Sequence, residues 1–341
     1  MIDATKLVIE GAIDRALRQI AMDSRRGLRN LVDLGLLFNK SGWRQFFLRS
    51  AQNMLSDDNS AYYELARRLQ STVDNSRLKT FGIALGYESC TKGAKRIREI
   101  EQSHGFDIPW ALTILAGSEG VSQDAADRLI AQGKNLGVHA FALIDQGLDM
   151  EALRRTLEEH QDCAFLLMLQ GGKKQVQKLE VLEEYQNFIV SIDAGQEDAM
   201  EKTEWLQSRR FLYGVHTFYN DNTASQVIDP ESLDRYLQYA PAAVFLLAEA
   251  GTKVETLRRT AENVVAIRKT PNYAYLLFEA LYDVMYLDNI ISQDDCAMAI
   301  TKDGKAVCLR SGGSWSSGCS IYENSLEQIL RRTASKGGSH G

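Results

Sequence analysis

From about residue 106 the chain alternates short, almost continuously apolar runs with amphipathic stretches of helical length, and this rhythm constrains its fold more than any other feature. The apolar runs span 110–115, 138–144, 163–169, 188–192, 212–218, 242–248 and 273–278. Between them lie helical patterns over 122–136, 150–159, 175–185, 197–208, 231–239 and 253–268. An unbroken apolar run reads as a strand buried on both faces, and strand–helix alternation reads as right-handed βαβ crossovers in a parallel sheet. Six or seven such units exceed a small doubly wound sheet. They point to an α/β fold, a partial or near-complete (β/α) barrel, with an open doubly wound sheet as the alternative.

The flanks break this rhythm. Up to about residue 77 the pattern is helical: Leu7, Ile9, Ile13, Leu17 and Ile20 recur near helical spacing, Leu28, Leu31, Leu34 and Leu37 repeat it, and Asp58 or Asn59 caps a further helix. Residues 1–78 carry 12 basic and 9 acidic side chains, +3 against −9 for the remainder. This region reads as a helical cap on the larger domain or as a partner-docking surface. At the other end, strands over 297–301 and 306–309 join through Lys302-Asp303-Gly304-Lys305, a hairpin signal. The expected division is a helical region over 1–78, a β/α barrel over 79–290, a cysteine-containing hairpin extension over 291–332 and a tail over 333–341. The tail reads as an expression-tag remnant, so His340 is set aside.

Composition narrows the partners. A formal net charge of −6 argues against nucleic acid, which needs clustered Lys and Arg. No apolar run approaches the ~20 residues of a membrane helix, and the start lacks a signal-peptide pattern, so a cytoplasmic protein is expected. Five cysteines, an odd number at sparse spacing, do not read as a secreted disulfide framework.

In parallel β/α proteins chemistry gathers where strands leave the sheet at their C-terminal ends. Those ends carry Glu119, Asp145, Gln170, Asp193, His216 with Tyr219, and Glu249, several followed by glycine. Turn and cap chemistry accounts for such residues. The alternative is a polar pocket where they converge on a ligand or metal, with His216 suited to acid–base work. His139 sits near a strand start and His160 at a helix end, away from that chemistry, and Cys163 reads as core. Phosphate-cradling motifs, GxxxxGK[ST] or GxGxxG between strand and helix, do not occur, and Gly312-Gly313-Ser314 reads as a flexible loop.

Three cysteines crowd the hairpin: Cys296 before its first strand, Cys308 at the end of its second, and Cys319 after a Ser/Gly-rich loop. Three thiols there could hold zinc or an iron–sulfur cluster, with a fourth ligand from elsewhere, or they could simply pack.

Several stretches resemble the radical S-adenosylmethionine superfamily, in a clostridial-type subgroup with an auxiliary-cluster (SPASM or twitch-like) C-terminal element. Phe106-Asp107-Ile108-Pro109-Trp110-Ala111-Leu112 resembles the lead-in to that subgroup's first barrel strand, and 129–137 its first helix. His160-Gln161-Asp162-Cys163-Ala164-Phe165-Leu166 resembles the start of the third strand, and 187–193 the fourth. Cys296 through Cys308 with Asp303-Gly304 between them, and Ser320-Ile321-Tyr322-Glu323-Asn324-Ser325-Leu326 after them, resemble the C-terminal element. The match spans about residues 60–332.

The departures carry more weight. Members of that superfamily have CxxxCxxC after the first strand, whose thiolates hold the cluster that cleaves S-adenosylmethionine. Here Leu115 is followed by Ala116-Gly117-Ser118-Glu119-Gly120 and then a helix, and no cysteine lies between Cys90 and Cys163. The second-strand GGEP motif is replaced by Asp145-Gln146-Gly147-Leu148. The resemblance therefore implies a cluster-deficient radical SAM-like barrel, not expected to bind S-adenosylmethionine. It would act as a non-catalytic scaffold for a radical SAM enzyme or its peptide or small-molecule substrate. Two alternatives stand beside it: an iron–sulfur protein with an auxiliary cluster on Cys296, Cys308 and Cys319, and an enzyme with repurposed chemistry at the strand ends.

Overall fold

The computed structural model describes residues 4–38, 42–292, 296–310 and 313–333. The chain opens with α1 (Ala4–Met22), α2 (Ser24–Phe38), α3 (Gly42–Met54), α4 (Ala61–Thr72) and α5 (Asn75–Ile83), a ten-residue π-helix (Ala84–Gly93) and α6 (Ala94–His104). The alternating region follows: β1 (Ala111–Ala116), α7 (Gln123–Leu136), β2 (Ala140–Asp145), α8 (Met150–Glu159), β3 (Ala164–Leu169), α9 (Lys173–Gln177), β4 (Phe188–Asp193) and α10 (Ala199–Ser208). It continues through β5 (Tyr213–Tyr219), α11 (Pro230–Gln238), β6 (Ala243–Ala248), α12 (Val254–Lys269), β7 (Leu276–Glu279) and α13 (Ala280–Ser292). The chain ends in β8 (Ala297–Ile300), β9 (Lys305–Arg310), β10 (Gly313–Ser320) and α14 (Leu326–Thr333).

Every apolar run in the sequence forms a strand, and β1 to β7 are parallel, in the order β10-β9-β8-β1-β2-β3-β4-β5-β6-β7. The barrel is not closed. Two expectations are corrected. The helix expected over 175–185 is a short α9 followed by a 3-10 turn, Lys178–Leu182, which buries Val176, Leu179 and Leu182 at tighter spacing. The Ser/Gly-rich stretch before Cys319 is a strand, β10, antiparallel to β9. Its residue types gave no apolar alternation, but β9 would otherwise expose a row of unpaired backbone groups, and any residue type can satisfy a ladder. The register shifts between Ser316 and Ser320, where Gly318 at φ +67° accommodates the irregularity. The tag-like tail from residue 334 and Gly312 lie outside the described residues.

The chain divides into two compact units, residues 1–83 with 192–280, and residues 84–191 with 281–341. In the first, β5, β6 and β7 pair in parallel, with Val215 against Val244 and Ala243 against Leu276. A helical cluster of Leu55, Tyr62, Tyr63 and Leu65 packs with Leu28, Val32, Leu69 and Ala274. Arg68 on α4 ties these helices to the strands, its guanidinium donating to the carbonyls of Ala240, Pro241 (2.8 Å) and Ala274 (2.6 Å) just before β6 and β7. Those carbonyls precede the ladder and have no sheet partner of their own, which explains why a forked, charged donor sits there.

In the second unit, β1 pairs with β2 from Ala111–Ala140 to Ala116–Asp145, β2 with β3, and β8 adds to the free edge of β1 in parallel. The motif stretch before β1 is clamped by the end of α13: Asp288 Oδ1 accepts from Trp110 N (2.5 Å), Ser292 Oγ donates to Ile108 O (3.2 Å), and Arg98 holds the carbonyls of Ile290 and Ile291. Among the described residues no helix is long and apolar enough to cross a membrane.

Replacing Arg68 by Met keeps the stem's packing but strands three carbonyls. Charged hydrogen bonds contribute roughly 1.5–3 kcal/mol each at most, and losses at one site overlap, so Arg68→Met is expected to cost about 3 kcal/mol in urea unfolding. A cost below about 0.5 kcal/mol would show the anchor to be dispensable.

Candidate functional site

At the end of β1 the chain turns back on itself within five residues. Val121 N donates to Leu115 O (2.8 Å) and Gly117 N to Val121 O (2.9 Å), so the turn closes by its own backbone hydrogen bonds. It also bonds to the turn after β2: Gln146 N to Ala116 O (2.8 Å), Glu119 N to Gln146 O (2.9 Å) and Ser118 N to Gly147 O (3.0 Å). Gly117, at φ +137°, lies so close that a Cβ there would sit 2.3 Å from Gln146 O. The two strand ends are thus interlocked through main chain.

This geometry decides what Asp145 does. Buried beside the interlock, it turns Oδ1 back on its own loop, accepting from Gly147 N (2.9 Å) and Leu148 N (2.8 Å). Glu119 and Gln170 are exposed. In this unit Asp145 is the strand-end residue that caps its turn.

In the other unit Asp193 behaves alike, Oδ1 accepting from Gly195 N (2.8 Å). His216 on β5 is fully buried, edge-on to Phe218 at 5.6 Å, and its carbonyl accepts from Ala194 N (2.8 Å). Burial pushes the imidazole down to about 4, against the opposing pull of Asp193. A ring that stays neutral at pH 7 and sits away from solvent suits packing better than proton transfer. Tyr219 donates to Glu279 Oε1 (2.8 Å), both buried, and Glu249 accepts from Asn220 Nδ2 (2.9 Å) at the surface. Sequence reading missed Glu279, which ends β7, and the fully buried Lys202, whose ammonium meets Asp198 Oδ1 (2.6 Å) and Gln196. A Glu closing an apolar run was the available signal for the first. Lys202, on a helix among other charges, offered none.

The late cysteines are all buried. Cys296 and Cys308 share a hydrogen bond, which with burial holds the Cys296 thiol far above its ordinary range. Cys296 also donates to Asp107 O (3.8 Å), while Cys319 takes a hydrogen bond from Arg332 Nη1 (3.6 Å). Two of the three thiols therefore adjoin. Among the described residues, the trio does not form a group whose ligand atoms all lie within 4.8 Å.

The cluster and cofactor implied by the resemblance can be tested against the first strand end. A cluster loop needs thiolates and a span of chain standing away from the sheet. This turn has no thiol, and its backbone is consumed by Leu115, Val121, Gln146 and Gly147. The residues present do not fit the group.

No family model matches the chain, and no curated protein matches it. Among solved structures it is similar to Streptococcus suis SuiB bound to precursor peptide SuiA (13% identity, TM-score 0.48, covering 72% of this chain and 68% of that one). It is also similar to SuiB bound to S-adenosylmethionine (14%, TM-score 0.46, 72% and 67%) and to a putative aldo-keto reductase from Pseudomonas aeruginosa (13%, TM-score 0.31, 53% and 90%).

Two predictions follow from this geometry. Gly117→Ala forces a Cβ onto Gln146 O at a positive φ and should cost about 3 kcal/mol in urea unfolding, whereas Glu119→Ala should stay within about 0.5 kcal/mol. Second, the unfolded chain protonates His216 near 6.5 and the folded chain near 4, so stability falls as pH drops through that window. At ~1.4 kcal/mol per pH unit the His216 share is about 3 kcal/mol, read as the difference between the wild-type and His216→Gln stability curves. Parallel curves would show that His216 does not contribute.

Proposed function

We propose that this chain is a cluster-deficient radical SAM-like protein that works by binding, engaging a radical SAM enzyme or that enzyme's substrate without cleaving S-adenosylmethionine itself. The observation that carries this reading is the interlocked turn after β1, where a closed backbone occupies the place of a cluster loop. An intact strand–helix framework with its chemical loop removed is a scaffold, and a scaffold acts through surfaces.

α1 supports the same reading. Leu7, Val8 and Met22 are 55%, 54% and 81% exposed, large apolar side chains on a region whose sequence is net positive. Exposed apolar groups of this size are natural contact points for a partner of opposite charge. The adjoining Cys296 and Cys308 favour a second reading, an auxiliary cluster at the C-terminal thiols.

Coexpression with the radical SAM enzyme encoded nearest to this chain, followed by size-exclusion chromatography, tests the proposal. A co-eluting complex is expected, weakened at least tenfold by the double change Leu7→Asp and Val8→Asp. A strictly monomeric chain that turns over a small molecule unaided would contradict it.

A further inference from the structure

The opposite end of the same sheet gathers a different set of side chains. β2 and β3 pair with Ala140 against Ala164, so the residues just before them are neighbours, and Ala164 N donates to His139 O (2.8 Å). This register brings His139 beside Asp162 and Cys163, which are 23 and 24 positions away along the chain. His139 Nδ1 lies 3.9 Å from Cys163 Sγ and 3.6 Å from Asp162 Oδ2. One imidazole nitrogen, one sulfur and one carboxylate oxygen all fall within 4.8 Å of one another.

We propose that His139, Asp162 and Cys163 bind a zinc ion. Nitrogen, oxygen and sulfur donors together match the borderline-soft character of zinc. Zinc bonds of ~2.0–2.3 Å imply tetrahedral edges of roughly 3.3–3.6 Å; the two edges at His139 are within a few tenths of an ångström of this, and the Cys163–Asp162 edge lies under 4.8 Å.

The surroundings are built for it. Lys134 Nζ holds the other oxygen of Asp162, Oδ1, at 2.6 Å, which leaves Oδ2 turned toward the imidazole. A ligating carboxylate fixed through its second oxygen is the usual supporting shell of a metal site. The π-helix packs on the other side of His139: a Cβ on Gly93 would sit 3.1 Å from the ring's Cδ2. Such helices are rare and gather at functional sites. This one also carries Glu88, buried at 2% exposure; burial first, then Asp162 and Glu88, hold the Cys163 thiol protonated until a cation takes the proton's place. The Asp162 side chain is 35% exposed, so solvent reaches its carboxylate.

Binding has a defined proton balance. The buried Cys163 thiol gives up its proton to solvent as sulfur takes the metal, and Nδ1 of His139 exchanges its 3.3 Å contact with Asp162 O for the ion. The thiolate and carboxylate together neutralise the dication, so no net charge is buried.

The test loads the full chain with zinc or cobalt(II), removes excess by desalting, and measures bound metal by mass spectrometry and the cobalt complex by absorption. One ion per chain is expected, with a thiolate-to-cobalt charge-transfer band in the near ultraviolet. Cys163→Ser should abolish the band, Asp162→Asn should weaken binding at least tenfold, and Cys308→Ser should leave both unchanged. The wild-type spectrum stands without any variant: no retained metal, or retained cobalt lacking the band, overturns the proposal. Loss in Cys308→Ser with retention in Cys163→Ser overturns it as well, by placing the metal at the C-terminal thiols.

Discussion

The turn after β1 is the constraint on which the functional account depends. A strand leaving a parallel sheet must find partners for its last backbone groups, and a ligand-binding loop finds some of them in its ligand or in a separate excursion of chain. Here five residues meet the whole demand locally, through Val121 on Leu115 and Gly117 on Val121, and through the neighbouring turn at Gln146 and Gly147. Helix α7 can then start at once, at Gln123. The same economy draws Asp145 into capping its own loop. The turn that lacks thiols is thus also the turn whose backbone closes on itself.

The two ends of β2 and β3 consequently differ in character. The end where β/α proteins ordinarily carry their chemistry holds the turn cap Asp145, while the start of these strands holds an imidazole, a thiol and a carboxylate steadied by Lys134. In parallel sheets the start of a strand is usually a stability face. A metal there would join the π-helix, β2 and β3 through side chains as well as backbone.

Much of the fold was legible because burial on both faces of a parallel strand leaves an unmistakable apolar run, and β1 through β6 begin and end within two residues of theirs. What escaped depended on partners distant in the sequence. β10 is six serines and glycines with Trp315 and Cys319, and its place in the sheet is its pairing with β9. In sequence His139 is a strand-start residue and Cys163 a core residue; their meeting depends on the register of two strands, which no local spacing reveals. Of the strand-end residues, Asp145 and Asp193 took the turn-capping roles that their following glycines suggested. Tyr219 found Glu279, a partner sixty residues on.

The central claim is that the first strand end cannot carry the cluster that defines the resembling superfamily. Anaerobic reconstitution of the full chain with iron and sulfide, followed by reduction in the presence of S-adenosylmethionine, addresses it directly. The account predicts no 5′-deoxyadenosine and no cluster signal that responds to S-adenosylmethionine. A reduced four-iron cluster whose spectrum shifts on adding S-adenosylmethionine, with 5′-deoxyadenosine formed, would contradict it.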